Sequence, residues 1–296
     1  MNEKEKKEKN CPSTAGYICF SRACAAQERD ALMRGSDNLA QIFLPKWAWA
    51  VSKIPVLRKT FIQKIAPAGI YHYVIARTKV FDESYLVALK DQFAQIVILG
   101  AGMDTRALRM AAMNSGTRIF ELDIPRIQQA KIRILSKKKV HLPKELVFVP
   151  IDFNTSDLLS VLIEAGFRLN QTTLFLGEGI LMYLDAAAVE HLFRFIRETS
   201  ASGSRVTFDF VYASVLRKEQ QYYGEKGLFD TVAQAGEGWT FGIEKGTEEK
   251  FLQDRGFKLV SLLTPADLEQ KYFTTREGRL IGRVNGTHCI ALAELT

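Results

Sequence analysis

The stretch IVILGAGMDTRAL, residues 96–108, decides how this chain is read. Four aliphatic residues in a row, with no polar alternation, describe a strand buried on both faces, as in a parallel sheet. The strand runs straight into Gly100 and Gly102, which permit a tight turn and close approach of a ligand to backbone, and then into a carboxylate, Asp104. In open α/β sheets ligands bind outside the carboxyl ends of the strands, so this turn marks a candidate site.

Downstream of the turn the same rhythm repeats. Short apolar strands, RIFELD (118–123), LVFVPID (146–152), TTLFLGEG (172–179) and SRVTFDFV (204–211), alternate with amphipathic stretches that predict helices near 104–114, 125–137, 155–166 and 185–200. Five such strands predict a doubly wound α/β core, mostly parallel. A helix near 246–255 precedes GFKLVSLL (256–263), and THCIALAEL (287–295) closes the chain as an apolar strand. The connection between those two, residues 264–286, shows no ordinary crossover helix, which predicts an antiparallel last strand. Residues 13–40 and 56–93 read as helical and form a cover ahead of the core, which spans 94–296. Residues 211–244 read as an inserted lid, and the first ten residues, seven of them charged, as the start of a disordered tail over 1–12.

Composition narrows the function. With 296 residues, 47% of them hydrophobic, the chain can bury a full core. Its four cysteines, Cys11, Cys19, Cys24 and Cys289, have neither paired nor metal-finger spacing, so reduced thiols, no metal centre and a cytoplasmic setting are expected. The segment IFLPKWAWAVSKIPVL (42–57) is broken by prolines and lysines and is too short to span a bilayer. Packing over the body is the expectation for it, with a peripheral apolar surface as the alternative. The net charge of +7 does not imply nucleic acid, because the densest basic run, KIRILSKKKVHLPK (131–144), carries no aromatic platform.

The strand ends gather acids: Asp104, Asp123, Asp152, Glu178 and Asp209. Asp123 follows Gly102 by 21 residues, a placement suited to a ribose diol. Either NAD or S-adenosyl-L-methionine could use that feature, but Thr105 stands where the dinucleotide fingerprint requires a third small residue. Asp104 would also face a pyrophosphate unless it turned away or were neutralised. A sulfonium donor fits the acids better. Its carboxylate needs a partner, for which Arg77 in ARTKVFDE (76–83) is the candidate, with a salt bridge to Asp82 or Glu83 as the competing role. Arg106 is expected to pair on the surface.

Together, ARTKVFDE, VILGAGMDTRALR (97–109), FELDIPRIQQAK (120–131), VPIDF (149–153) and FLGEGILMYL (175–184) resemble the leucine carboxyl methyltransferase-like family, especially its bacterial branch of S-adenosyl-L-methionine-dependent O-methyltransferases. The resemblance implies a Rossmann-like class I methyltransferase sheet with an antiparallel last strand and a helical cover. It implies that Arg77 clamps the donor carboxylate, and that the turn Gly100, Ala101 and Gly102 approaches the methionine portion. Asp123 would hold the ribose, Asp152 and Phe153 the adenine, and Glu178 the ammonium. The family tyrosine is present as Tyr183.

The acceptor is less legible. Tyr71, Tyr73, Tyr222, Tyr223, Phe229 and Trp239 suggest an aromatic acceptor pocket, and a small carboxylate or hydroxyl is the expected substrate. A carboxylate needs no general base, and no catalytic residue is assigned. His72 is the best placed histidine for such a role, although packing suits it better. Protein C-terminal carboxyl methylation, a nicotinamide dehydrogenase and a donor-binding regulator without turnover stand as alternatives. A homodimer is left open.

Overall fold

The computed structural model describes residues 14–153, 157–228 and 238–296. The expected tail and residues 229–237 of the inserted segment, Phe229 included, lie outside the described residues. Strands β1 (Gln95–Leu99), β2 (Arg118–Asp123), β3 (Leu146–Pro150), β4 (Thr173–Gly177), β5 (Arg205–Val211), β6 (Phe257–Leu263) and β7 (His288–Leu295) form one sheet in the order β3-β2-β1-β4-β5-β7-β6. β1 to β5 pair parallel, and β7 runs antiparallel between β5 and β6. This is the mostly parallel, doubly wound, Rossmann-like sheet expected, with its antiparallel last strand.

The uninterrupted apolar strands are explained by burial on both faces. Val97, Leu99, Phe120, Leu122, Phe175 and Phe208 point into one core, which is closed by α7 (Leu158–Glu164) and α8 (Ala186–Thr199). Their strand neighbours Ile96, Ile98, Ile119, Leu174 and Leu176 point into the other, closed by α4 (Ile70–Lys90). α6 (Pro125–Lys137) reaches the sheet on this second side through Gln128 and Lys131, which bond to Glu121.

Several elements differ from their sequence reading. The helix expected over 13–40 is α1 (Thr14–Ala25) followed by turns, and the one expected near 104–114 is α5 (Arg106–Arg109) with a 3-10 turn at Ala111–Met113. The connection from β6 to β7 does contain a helix, α11 (Pro265–Phe273). Thr264 and Asp267 close a reciprocal capping box at its start, with Pro265 in the first turn. Among its described residues the lid region yields α9 (Ala213–Leu216) and a helical stretch at 225–228, and α10 (Glu248–Gln253) follows it.

The Trp47 segment departs furthest from expectation. It forms α2 (Lys46–Lys53) and α3 (Pro55–Ile65), joined at Ile54, and does not bury its tryptophans: Trp47 is 60% and Trp49 47% exposed. Among the described residues, no helix is long and apolar enough to cross a membrane.

Phe193 on α8 locks the far half of the sheet, meeting Phe208 and Phe257 edge-on with centroids 5.5 Å away and Phe251 of α10 at 5.4 Å. Phe193→Ala is expected to cost about 3–5 kcal/mol, read as a lower denaturant midpoint with an unchanged slope.

Candidate functional site

The strand ends of β1, β2, β4 and β5 meet around the glycine turn. Gly100 (φ +61°) and Gly102 (φ +49°) both adopt backbone conformations that favour glycine. The Gly102 amide donates to Asp123 Oδ2 at 2.5 Å, so the carboxylate ending β2 holds the turn that follows β1. Burial raises the Asp123 pKa, despite amide bonds from Gly102 and Ile124 that favour the charged form. Asp152 and Phe153 follow β3 at the same edge, both half-buried; the register Asp123↔Pro150 sets them just beyond Asp123.

Beneath the turn lies a chain of buried charges. Arg106 is only 1% exposed, contrary to its expected surface role. Its Nη1 pairs with Asp104, its Nε with Asp82 at 2.8 Å and its Nη2 with Glu178 at 2.7 Å. Glu178 Oε1 lies 3.1 Å from Arg77 Nε, and Arg77 Nη1 donates to Asp209 Oδ2 at 2.8 Å. Asp209 is fully buried and also accepts from Tyr73 Oη (2.7 Å) and the Gly179 amide (2.5 Å). Arg77 therefore pairs with neither Asp82 nor Glu83. Asp82 pairs with Arg106 and Arg109, and Glu83 with Lys271.

This network alters the reading of Asp104. Burial alone would raise its pKa, but the Arg106 guanidinium, helped by Lys131 and Arg22, holds it at about 2. The carboxylate is neutralised within the protein, so its charge does not select a cationic ligand. Glu178 is likewise held below the usual range by Arg106 and Arg77, against the opposing effect of burial. Some capacity remains for a ligand. Arg77 Nε and Glu178 Oε2 sit within ion-pair reach but out of hydrogen-bond alignment, and Arg77 Nη2 has no protein partner among the described residues. A Cβ at Gly179 would come within 3.1 Å of Arg77 Nη1, which explains glycine after Glu178. Arg22 on α1 donates to the Met103 carbonyl at 2.8 Å, tying the first helix over the turn.

Beside this network stands a histidine that the sequence did not single out. His288 opens β7 opposite Val211, stacks on Tyr73 at 4.5 Å and meets Trp239 edge-on at 5.3 Å. Its tautomer follows from its neighbours. Asn285 Nδ2 donates to the Ala68 carbonyl at 2.9 Å, which turns Oδ1 toward the Thr287 hydroxyl, 2.6 Å away. That hydroxyl has one proton and gives it to Asn285, so it accepts from His288 Nδ1–H at 2.7 Å. Nε2 then carries the ring's lone pair and accepts no hydrogen bond among the described residues. Burial, then the Arg77 charge, lowers the His288 pKa to about 3, so the ring is neutral at working pH. His72 instead packs edge-on against Phe273 at 5.4 Å, under Gly282 and away from these groups. Tyr71 is also elsewhere, bonded to Glu28, and Arg283 lies over the Tyr223 ring, while Tyr222 stacks on Tyr212 at 5.1 Å. Among the described residues, no three His, Cys, Asp or Glu side chains converge as metal ligands.

The buried charges make stability depend on acid. Asp104, Asp82 and Glu178 have folded-state pKa values below their unfolded ones. Their contribution is full above about pH 4 and is lost as pH falls toward about 2. Arg106→Met is expected to lower the unfolding free energy at pH 7 by about 3–5 kcal/mol, because buried carboxylates lose their partner. The fall in stability between pH 4 and pH 2 should be shallower in the variant, as measured by denaturant titration at each pH.

Known proteins share both pattern and fold. The family model for leucine carboxyl methyltransferase matches residues 16–197. A "Putative S-adenosyl-L-methionine-dependent methyltransferase" of Mycolicibacterium paratuberculosis is 31% identical over 222 residues, 71% of this chain and 68% of that one. A relative of the same description from Frankia alni is 35% identical over 226 residues, covering 76% and 78%. Among solved structures, one described as a methyltransferase from Thermobifida fusca superposes with a TM-score of 0.59 at 15% identity, covering 97% of this chain and 96% of that one. A DUF574 family protein from Streptomyces avermitilis gives 0.60 at 14% identity, covering 82% and 91%. These two matches bear on the fold; the family model and the relatives bear on descent. The chain belongs to the leucine carboxyl methyltransferase family.

Proposed function

We propose that this chain methylates a hydroxyl oxygen on a small aromatic molecule. It is an S-adenosyl-L-methionine-dependent methyltransferase, and that donor is its cofactor. The glycine turn fits such a group: a Cβ at Gly102 would meet only Gly100 O at 3.9 Å and Asp123 Oδ2 at 4.0 Å, which leaves room on the face toward the carboxylate. In this reading Asp123 holds the ribose, Asp152 and Phe153 flank the adenine, Arg77 Nη2 takes the carboxylate and Glu178 the ammonium. Ala101 lies between the two glycines. When bound, the donor supplies a methyl group on a sulfonium, already activated for in-line displacement. The protein's task is then to align the acceptor and exclude water.

The observation that carries the hydroxyl assignment is the bare Nε2 of His288, set between the rings of Tyr73 and Trp239. It can accept a hydrogen bond from an O–H and offers nothing to a carboxylate. An anionic acceptor would also approach Asp209 and Glu178, while in this reading the capacity that Arg77, the neighbouring cation, has left beyond those two is taken by the donor carboxylate. As the C–O bond forms, the oxygen becomes strongly acidic, so even a weak base takes its proton. A ring that stays neutral is ready for this over a wide pH range.

Calorimetry with S-adenosyl-L-methionine, with NAD as control, tests the donor assignment: Asp123→Ala should weaken binding about 10- to 100-fold. Labelled-methyl transfer to matched phenols and benzoates tests the acceptor. His288→Leu should lower kcat/KM toward phenols about 100-fold or more at unchanged donor affinity, with His288→Gln retaining part of the activity. The wild type should show no loss of activity between pH 8 and pH 5 from a titrating histidine. Label appearing as alkali-labile ester, indifferent to His288, would transfer the assignment to a carboxylate, on a small molecule or a protein C-terminus.

A further inference from the structure

The α2–α3 pair presents an apolar surface of unusual charge. Trp47, Trp49, Ile54, Val56 and Leu57 are all exposed, Val56 to 73%. Exposure does not come from a detached segment, because the pair is anchored on its other side. Ala48, Ser52 and Arg58 are buried, Arg58 donates to the Ser52 carbonyl at 3.0 Å and pairs with Glu28 at 3.2 Å, and Phe61 meets Phe20 edge-on at 4.9 Å. The five large side chains therefore project from a fixed platform.

What surrounds them is mostly basic. Between Asp37 and Asp82 the sequence contains no acidic residue, whereas Lys46, Lys53, Lys59 and Lys64 are exposed along the two helices. Lys53 lies over the Trp49 ring at 5.8 Å. Of the acids that approach from α1 and its following turn, Glu28 pairs with Arg58 and accepts from Tyr71, while Asp30 accepts from the Leu32 amide and keeps its charge against the four lysines. An apolar patch whose rim is dominated by lysines repels a second copy of itself and complements an anionic layer with an apolar interior. Tryptophans settle at the level where headgroups meet acyl chains, and lysines reach outward to lipid phosphates. With 8 and 11 residues, the two helices are too short to cross a bilayer and suited to lying on one.

We propose that the α2–α3 face docks this enzyme on the surface of a bilayer containing anionic lipid. Flotation of the whole protein with vesicles of phosphatidylcholine, alone or mixed with phosphatidylglycerol, tests this. Binding is expected to the mixed vesicles, to weaken as salt is raised, and to shift tryptophan emission to the blue, with quenching by brominated acyl chains. The double variant Trp47→Ala/Trp49→Ala should lose binding while keeping the wild-type unfolding midpoint and donor affinity. Lys53→Gln and Lys59→Gln should each weaken partition about fivefold. Failure of the wild type to float, or flotation that neither the tryptophan variant nor brominated lipid affects, would overturn the proposal. So would a concentration-dependent dimer that the tryptophan variant dissolves, since the face would then belong to a second copy.

Discussion

The bridge from Arg106 through Glu178 to Arg77 is the constraint around which the ligand edge is built. It links the helix after the glycine turn, the loop after β4, and α4 from the cover. At its far end Asp209 brings in β5 and, through Tyr73, the ring that supports His288. Separated charges at this depth would be costly, and each is tolerated because its neighbours are opposite in sign and hydrogen-bonded. The network leaves little freedom to the loops, so the glycine turn is set by electrostatics below it as much as by its glycines.

Much of the fold was legible because both-sided burial leaves a plain trace. The run Ile96–Leu99 has no polar face and its successors are largely apolar, although β5 sets Arg205, Thr207 and Asp209 on one side; that pattern implies helices on both sides of a parallel sheet. The antiparallel β7 was expected from a connection, residues 264–286, read as lacking a crossover helix. The helix Pro265–Phe273 was missed although its start was written in TPAD, where Thr264 and Asp267 cap each other. Emphasis on the absence of a long amphipathic run hid a short helix with a strong cap. The turns after α1 were misread for the opposite reason: residues 26–39 lack strand alternation, and that absence is not evidence for helix.

At the site, the residues bound to backbone geometry were the readable ones. Gly102 and Asp123 come together across the turn, whereas Arg77 meets Glu178 and Asp209 in place of the Asp82 or Glu83 named as its competing partners. Partners chosen by the tertiary fold were not readable. Arg106 stands two residues from Asp104, a spacing that on a short helix start allows the pair to close on itself, yet nothing local shows that both are buried. Asp209 and Tyr73 are 136 residues apart. The tautomer of His288 depends on Asn285 and Ala68, which lie 217 residues apart in the chain.

The placement of His288 on the last strand has a further consequence. The family match ends at residue 197, within α8, after the glycine turn, Asp123 and Glu178 have all been passed. His288, Trp239 and Tyr222 come later, on elements laid beside the far half of the sheet. On the proposed reading, donor recognition and acceptor choice would be written in successive stretches of chain and joined through Arg77 and Asp209. A lineage built this way can change what it methylates by altering the later stretch, with the machinery that delivers the methyl group left as it was.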